Sequence, residues 1–339
     1  MKYTSEKKKT VVLYILEKIS DGGKLLSSAV AENFGISTNT VHSYLNELQR
    51  EGIIEKHKRG EYRLVSKKET YHFVRSQGGL ESDTRPFDEC VEEKIGHLGE
   101  NIYHIWAYAV SEMVNNVIDH SDAENMWISV EQDYLKTGIL IADDGVGIFE
   151  KIKNHFSLSS LDEAICELFK GKLTTDKENH SGEGIFFTSK MMDAFLISSS
   201  GKTFTTSKYN DESIIDLGLA ERGTSVYMTL SNFTSREARE VFDEYSDVDG
   251  GFTTTVIPIK RIFDTAPVSR SQAKRVCNRL DEFEEIILDF DEVSWMGQGF
   301  AHQMFVVYKN AHPNITITPI NMNESVESMY KHVSVKKDL

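Results

Sequence analysis

Cysteine is scarce in this sequence: Cys90, Cys166 and Cys277 are far apart, and no CxxC pair occurs. That spacing supports neither a disulfide framework nor a zinc site, and it points to a reducing, cytoplasmic setting. Long apolar runs are missing too. None approaches the roughly 20 residues that span a bilayer, so no membrane partner is expected. The N-terminal MKYTSEKKKT is basic but leads into no apolar stretch with a small-residue cleavage site, so no secretory signal is expected either. Internal repeats and low-complexity tracts are absent.

The 339 residues exceed what one core usually serves, which predicts two or three domains. The net charge of −15 is unevenly spread: residues 1–68 carry thirteen Lys/Arg against eight Asp/Glu, hence +5, and the remainder carries −20. Any nucleic-acid contact is therefore expected in the head.

Residues 1–68 read as three helices and a hairpin. Val11, Val12, Tyr14, Ile15, Leu16 and Ile19 form an apolar stripe at helical spacing. A short helix follows from Ser27 or Ser28, and Gly35 ends it. Ser37 caps a third helix over Thr38–Glu51. Ile53-Ile54 and Tyr62–Leu64 then flank the charged tip Lys56–Gly60 as two strands. This is the pattern of a winged helix-turn-helix. Ser37, Thr38, Asn39, Thr40 and His42, with Ser43, are the small polar residues placed to enter a major groove, and Lys58 and Arg59 on the wing are placed to meet phosphates. Residues 69–90, with their turn formers, read as a linker.

A long helix is expected over about Val91–His120, ending in SEMVNNVIDHS. Glu112, Asn116 and His120 recur every fourth residue. Each step drifts only ~40° around the helix, so all three share one face. A carboxylate one turn from a carboxamide suits Mg²⁺ and water, since hard cations take oxygen ligands. Thr137–Ala142 reads as a buried strand that runs into Asp143-Asp144-Gly145-Val146-Gly147-Ile148. Asp143 at the strand end can accept a hydrogen bond from an exocyclic amine, which adenine has and guanine lacks at that ring position. Asp144 fits a turn or cap. A polar stretch, 150–181, follows with a helix at Leu161–Phe169, as expected of a lid. Gly182-Glu183-Gly184 then opens a helix whose backbone amides suit phosphate, and Arg222-Gly223-Thr224 opens a strand.

This order of motifs resembles the GHKL, or Bergerat-fold, ATPases over about residues 95–232. SEMVNNVIDHS is similar to their N box, DDGVGI to the first glycine box and HSGEGIFFTSKM to the second. The resemblance implies ATP with Mg²⁺. Glu112 would be the general base, Asn116 the Mg²⁺ ligand and Asp143 the adenine reader. Gly145, Gly147 and Ile148 would form the turn beside the base, Gly182 and Gly184 would lie under the phosphates, and Thr224 would bridge to the adenine pocket. Lys172 and Thr174, with Lys170 and Thr175, are lid candidates for phosphate contact. The N box is nearest to that of the anti-sigma-factor kinases. A histidine kinase reading fails because His97 and His104 lie within about fifteen residues of Glu112, on the N-box helix itself, where a rigid helix cannot bend them onto their own site.

Beyond the Gly250-Gly251 joint, strands at Thr254–Ile259, Glu285–Phe290 and Asn314–Pro319 alternate with helices. LDFDEVSWMGQGFAHQMF resembles a STAS domain, and VSRSQAKR with GQGFAHQMF is similar to the STAS-like domain of unknown function that follows bacterial GHKL modules. The antagonists of that fold carry a phosphorylatable Ser at the turn into the helix. Here the turn is Met296-Gly297-Gln298-Gly299-Phe300, with Ser294 expected in the strand and Ser269 expected as a helix cap.

The expectation is thus a multidomain α/β chain. A winged helix (1–68) and a linker (69–90) precede a Bergerat-type α/β sandwich, a mixed sheet with helices on one face (91–245), and a STAS-like α/β domain follows (253–339). It would be a regulator whose ATP·Mg²⁺ site controls a DNA- or partner-binding head and a tail that meets a protein partner; a homodimer is compatible. Two rivals stand beside it: a Ser/Thr protein kinase or slow ATPase, and a scaffold that never touches DNA.

Overall fold

The computed structural model describes residues 5–22, 27–58, 60–173, 182–206, 222–263 and 265–334. These form two compact units: residues 1–70 with 129–139 and 229–234, and residues 71–128 with 140–228 and 235–339.

In the first unit, helices Ser5–Ser20, Ser27–Phe34 and Thr38–Arg50 bury the expected stripes, with Val11, Ile15, Val41 and Leu45 at the centre of the core. Ser37 caps the third helix by accepting from the Thr40 amide. Strands β1 (Ile54–Lys58) and β2 (Glu61–Leu64) pair antiparallel as the wing. Leu135 packs on the same core, in a turn held by Asn232, whose Nδ2 donates to Asp133 O at 2.9 Å and whose backbone N–H donates to Leu135 O at 2.8 Å.

A six-stranded sheet has the order β3-β4-β5-β8-β6-β7. Its strands are β3 (Lys67–Val74), β4 (Asn125–Gln132), β5 (Lys136–Asp143), β6 (Ala194–Ser199), β7 (Lys202–Thr205) and β8 (Thr224–Ser231). Residues 67–74 were expected to belong largely to a linker, and they form an edge strand instead. Most of its side chains are exposed, so it lacks the apolar alternation that would mark it. The β6–β7 hairpin turns through Ser200 and Gly201, both at positive φ.

The second unit holds the long helix, which spans Glu100–His120 rather than starting near Val91. Short helical pieces occupy Thr84–Ile95, and the extended backbone of Gly99 starts a new helix. Ile105, Trp106, Ala109, Val110, Met113 and Val117 recur at three- and four-residue spacing and are buried. The helices Ile148–His155, Leu161–Lys170 and Gly184–Met191 complete the surroundings of the cavity described below.

The C-terminal part of this unit is a three-stranded parallel sheet of order β11-β10-β9, made of β9 (Thr254–Pro258), β10 (Glu285–Asp289) and β11 (Thr316–Ile320). Ser269 caps Arg270–Cys277 in a full capping box with Gln272, as its position predicts. Ser294, expected in the strand, lies exposed in the loop after it, because β10 ends at Asp289. At Gly297 a Cβ would fall 2.6 Å from Val268 O, so the close approach of that backbone leaves no room for a serine at the helix start.

Candidate nucleotide-binding site

The sequence motifs converge on one cavity of about 380 Å³ in the second unit. Glu112, Asn116 and His120 reach it from the long helix, Asp143 from the end of β5, and Thr224 from the start of β8. Gly182 and Gly184 come from the segment that opens the Gly184–Met191 helix. Gly147 and Ile148 close it from the turn after Asp143.

Asp143 is buried, and its Oδ1 accepts from the Gly145 amide at 2.8 Å. Burial pushes its carboxyl up to about 6, against the pull of backbone hydrogen bonds from Gly145 and Thr224. The next carboxylate behaves oppositely. Burial raises Asp144 as well, but hydrogen bonds from Asn125 and Glu124 prevail and hold it below the usual carboxylate range. Those bonds tie the turn to the start of β4, which is the turn role expected of Asp144.

Two close approaches require glycine. A Cβ on Gly145 would lie 2.1 Å from Ser121 O, at the end of the long helix, and Val146 N–H donates to that same carbonyl at 2.8 Å. A Cβ on Gly184 would lie 1.9 Å from Glu112 Oε2. The Glu112 carboxylate thus lies against the first turn of the Gly184 helix. The Ile148 amide donates to Thr224 Oγ1 at 2.9 Å, and Ser199 Oγ donates to Gly223 O at 2.9 Å, so the strand ends and the glycine turn are mutually fixed. The Asn116 carboxamide makes no hydrogen bond among the described residues and lines the cavity.

The expected lid cations lie elsewhere. Lys172 does not line the cavity: its Nζ donates to Glu282 O at 2.8 Å and sits over the rings of Phe283 and Phe252. Lys170 is buried with Glu167 in an ion pair of 2.8 Å. Thr174 lies outside the described residues, as does Arg59 on the wing. Sequence reasoning missed Lys151, which lines the cavity and donates from Nζ to His120 O. Its signal was available: it lies one helical turn beyond Gly147. In the head, Thr38, Asn39, His42 and Lys58 are exposed, and Ser37 and Thr40 are tied to each other through the cap.

Comparison with known families separates the chain into three. Residues 105–233 match the histidine kinase-, DNA gyrase B- and HSP90-like ATPase family. Residues 12–55 match the winged helix-turn-helix DNA-binding family, and residues 272–327 match a STAS-like domain of unknown function. The protein is therefore of the ATPase-type regulator class, with a winged-helix head before the ATPase and a STAS-like tail after it. The ATPase domain implies nucleotide binding. No curated protein matches the chain in sequence. Among the described residues, no helix is long and apolar enough to cross a membrane.

Proposed function

We propose that the cavity binds ATP with Mg²⁺ and that its occupancy controls the winged-helix head and the STAS-like tail. The observation that carries this reading is the convergence of three features on one 380 Å³ space: a buried carboxylate, a glycine-lined helix start and a Glu/Asn pair one turn apart. Asp143 would accept from the adenine amine through its carboxylate, beside the backbone hydrogen bonds it already takes from Gly145 and Thr224. Thr224 holds the Ile148 amide, and so fixes the turn beside the base. Asn116 offers a neutral oxygen to Mg²⁺. Among the described residues no group of three or more His, Cys, Asp or Glu side chains could hold a metal, so the ion would depend on Asn116 and nucleotide oxygens. Bound ATP would supply a transferable phosphoryl group whose charge Mg²⁺ offsets.

Support for control of the tail comes from the Leu161–Lys170 helix, which flanks the cavity through Leu168. Its Lys170 Nζ donates to Glu167 Oε1, Arg275 O and Asn278 O. Arg279 donates to Glu167 Oε2 at 3.3 Å and to Lys172 O at 2.8 Å, and Thr255 Oγ1 donates to Lys170 O at 2.8 Å. A shift of this helix therefore has to move residues of the tail.

Equilibrium binding of ATP in the presence and absence of Mg²⁺, followed by limited proteolysis of the loaded chain, tests the proposal. Tighter binding with Mg²⁺ and an altered cleavage pattern are expected; cleavage identical with and without ATP counts against control. The position of the Glu112 carboxylate beside Gly184 favours one second reading, a Ser/Thr kinase or slow ATPase with Glu112 as base. Turnover of γ-labelled ATP that is lost in Glu112→Ala, while binding persists, would establish it. Salt-dependent DNA binding that weakens on neutralising Lys58 and Arg59 would assign DNA to the head.

A further inference from the structure

A second cavity, of about 170 Å³, lies in the same unit between the Gly184–Met191 helix and the carboxyl ends of β9 and β10. Crevices outside the carboxyl ends of parallel strands are a common place for ligands, most of all where strand order reverses, which the order β11-β10-β9 does not do. A cavity of about 150 Å³ accommodates a ligand the size of benzene, so this one suits a small metabolite and not a nucleotide.

Its lining is amphoteric. Lys190, Lys260 and Arg261 face Asp289, Asp291 and Glu292. Arg261 and Glu292 satisfy each other at 3.0 Å. Lys190 does not have such a partner: its ammonium lies 5.1 Å from the Phe186 ring centre and 5.7 Å from that of Tyr245, and makes no ion pair or hydrogen bond among the described residues. Burial pushes it down to about 8, against the attraction of Glu244 and Asp289. Asp289, the last residue of β10, accepts through Oδ1 from the Asp291 amide and from Asn321 Nδ2, both at 2.9 Å, and its Oδ2 accepts from none of the described residues. Lys260 makes no ion pair or hydrogen bond among the described residues either, but it is exposed, so the site holds one buried cation and one carboxylate oxygen in need of partners. Leu168, Phe169, Phe186 and Phe204 add apolar walls. A simple anion would meet three carboxylates here and a simple cation three basic groups, whereas a zwitterion can satisfy both.

Leu168 and Ile185 line this cavity and the Asp143 cavity alike. The helix that carries Lys190 near its end also begins with Gly184, against Glu112. We propose that this cavity is an effector site for a small apolar α-amino acid, its carboxylate on Lys190 and its ammonium on Asp289, coupled to the nucleotide site through Leu168 and Ile185. Only the coupling rests on the nucleotide reading given above.

The test is calorimetric titration of the full chain, without nucleotide, with L-valine, L-leucine, L-isoleucine, L-methionine and L-phenylalanine. At least one should bind. The amide of that amino acid, which lacks the carboxylate, and its des-amino acid, which lacks the ammonium, should each bind about tenfold or more weaker. Lys190→Gln should weaken binding to a similar degree. If that variant does not fold, the two analogues decide the matter with the wild-type chain. Absence of binding at millimolar concentration overturns the site, as does equal binding of either analogue or an affinity that Lys190→Gln leaves unchanged. ATP affinity at saturating amino acid should then shift by about fivefold or more, and the amino acid's affinity should shift reciprocally. No shift in a chain that binds both ligands overturns the effector role. A chain that binds the amino acid but not ATP would sink the nucleotide reading and leave this site standing.

Discussion

The two ends of the nucleotide cavity are built on different principles. At the Asp143 end, polar groups are tied within the ATPase fold itself: Gly145 to Asp143, Ile148 to Thr224, Ser199 to Gly223. At the Gly184 end, the two nearest lysines of the 161–173 segment are turned away. Lys170 and Lys172 both bond to carbonyls of residues 275–282 in the tail. On the proposed reading, the difference teaches that recognition of the base would be local to the ATPase, while the geometry near the phosphates would be shared with the tail.

The largest effect should come from breaking that shared part. Lys170 and Glu167 have side-chain exposures of 1% and 3%, so Lys170→Met leaves a buried carboxylate with only Arg279 and Asn278 as partners. A loss of about 3 kcal/mol is expected, visible as a fall in the thermal midpoint of about 10 °C for a unit of this size. Replacing both partners, Glu167→Leu with Lys170→Met, should recover most of the loss, because Arg279 keeps Glu282 and Lys172 O. A loss below about 1 kcal/mol in the single variant would mean that the network is worth no more than a surface pair, and the contrast between the two ends would collapse.

Asp143→Asn probes the other end. The carboxamide keeps the shape but replaces a charged acceptor, so ATP affinity should fall by about ten- to a hundredfold in direct titration. Stability should hold or rise, since burial disfavours the charge. Unchanged affinity would remove Asp143 from the site. The same carboxyl predicts the pH response. Its folded value is raised to about 6, so the unliganded fold binds more protons than the unfolded chain between about pH 4 and 6. Stability of the unliganded chain therefore falls as pH rises through that window, by about 3 kcal/mol at most from this group. ATP needs the ionised acceptor, so its affinity should be level above pH 7 and weaken as pH falls below about 6. Calorimetric titration and thermal melts across pH 4–8 would show the two opposing slopes, and parallel slopes would contradict the assignment.

How much of this was legible follows the same division. The Asp143 end rests on short-range patterns: a residue at every fourth place on a helix, a strand running into DDGVGI, and glycines where backbones touch. The winged helix was legible for the same reason, its stripes at Val11–Ile19 and Val41–Leu48 being local. Strand β6 was not, because all six of its residues are buried and leave no period to read. Strand β3 was missed for the opposite reason, an exposed edge with little to bury. Ser294 was misplaced by the length of one strand. The carbonyl partners of Lys170 and Lys172 in the tail lie more than a hundred residues downstream, and no local pattern announces a contact at that separation.

Lys172 supplies the smallest expected effect and the most discriminating one. A lysine flanking a glycine box is the natural choice for a phosphate contact, and losing such a charge-assisted bond would cost ATP about tenfold or more. In the structure its ammonium caps Glu282 O over two aromatic rings and does not reach the cavity. Lys172→Ala should therefore leave ATP affinity within about twofold and lower stability by about 1 kcal/mol, the scale of one hydrogen bond with a cation–π contact. Titration and melting of the same preparation separate the cases. A tenfold loss of affinity would show that Lys172 leaves the tail when nucleotide binds, and would make the phosphate end a switch between two partners rather than a wall shared with the tail.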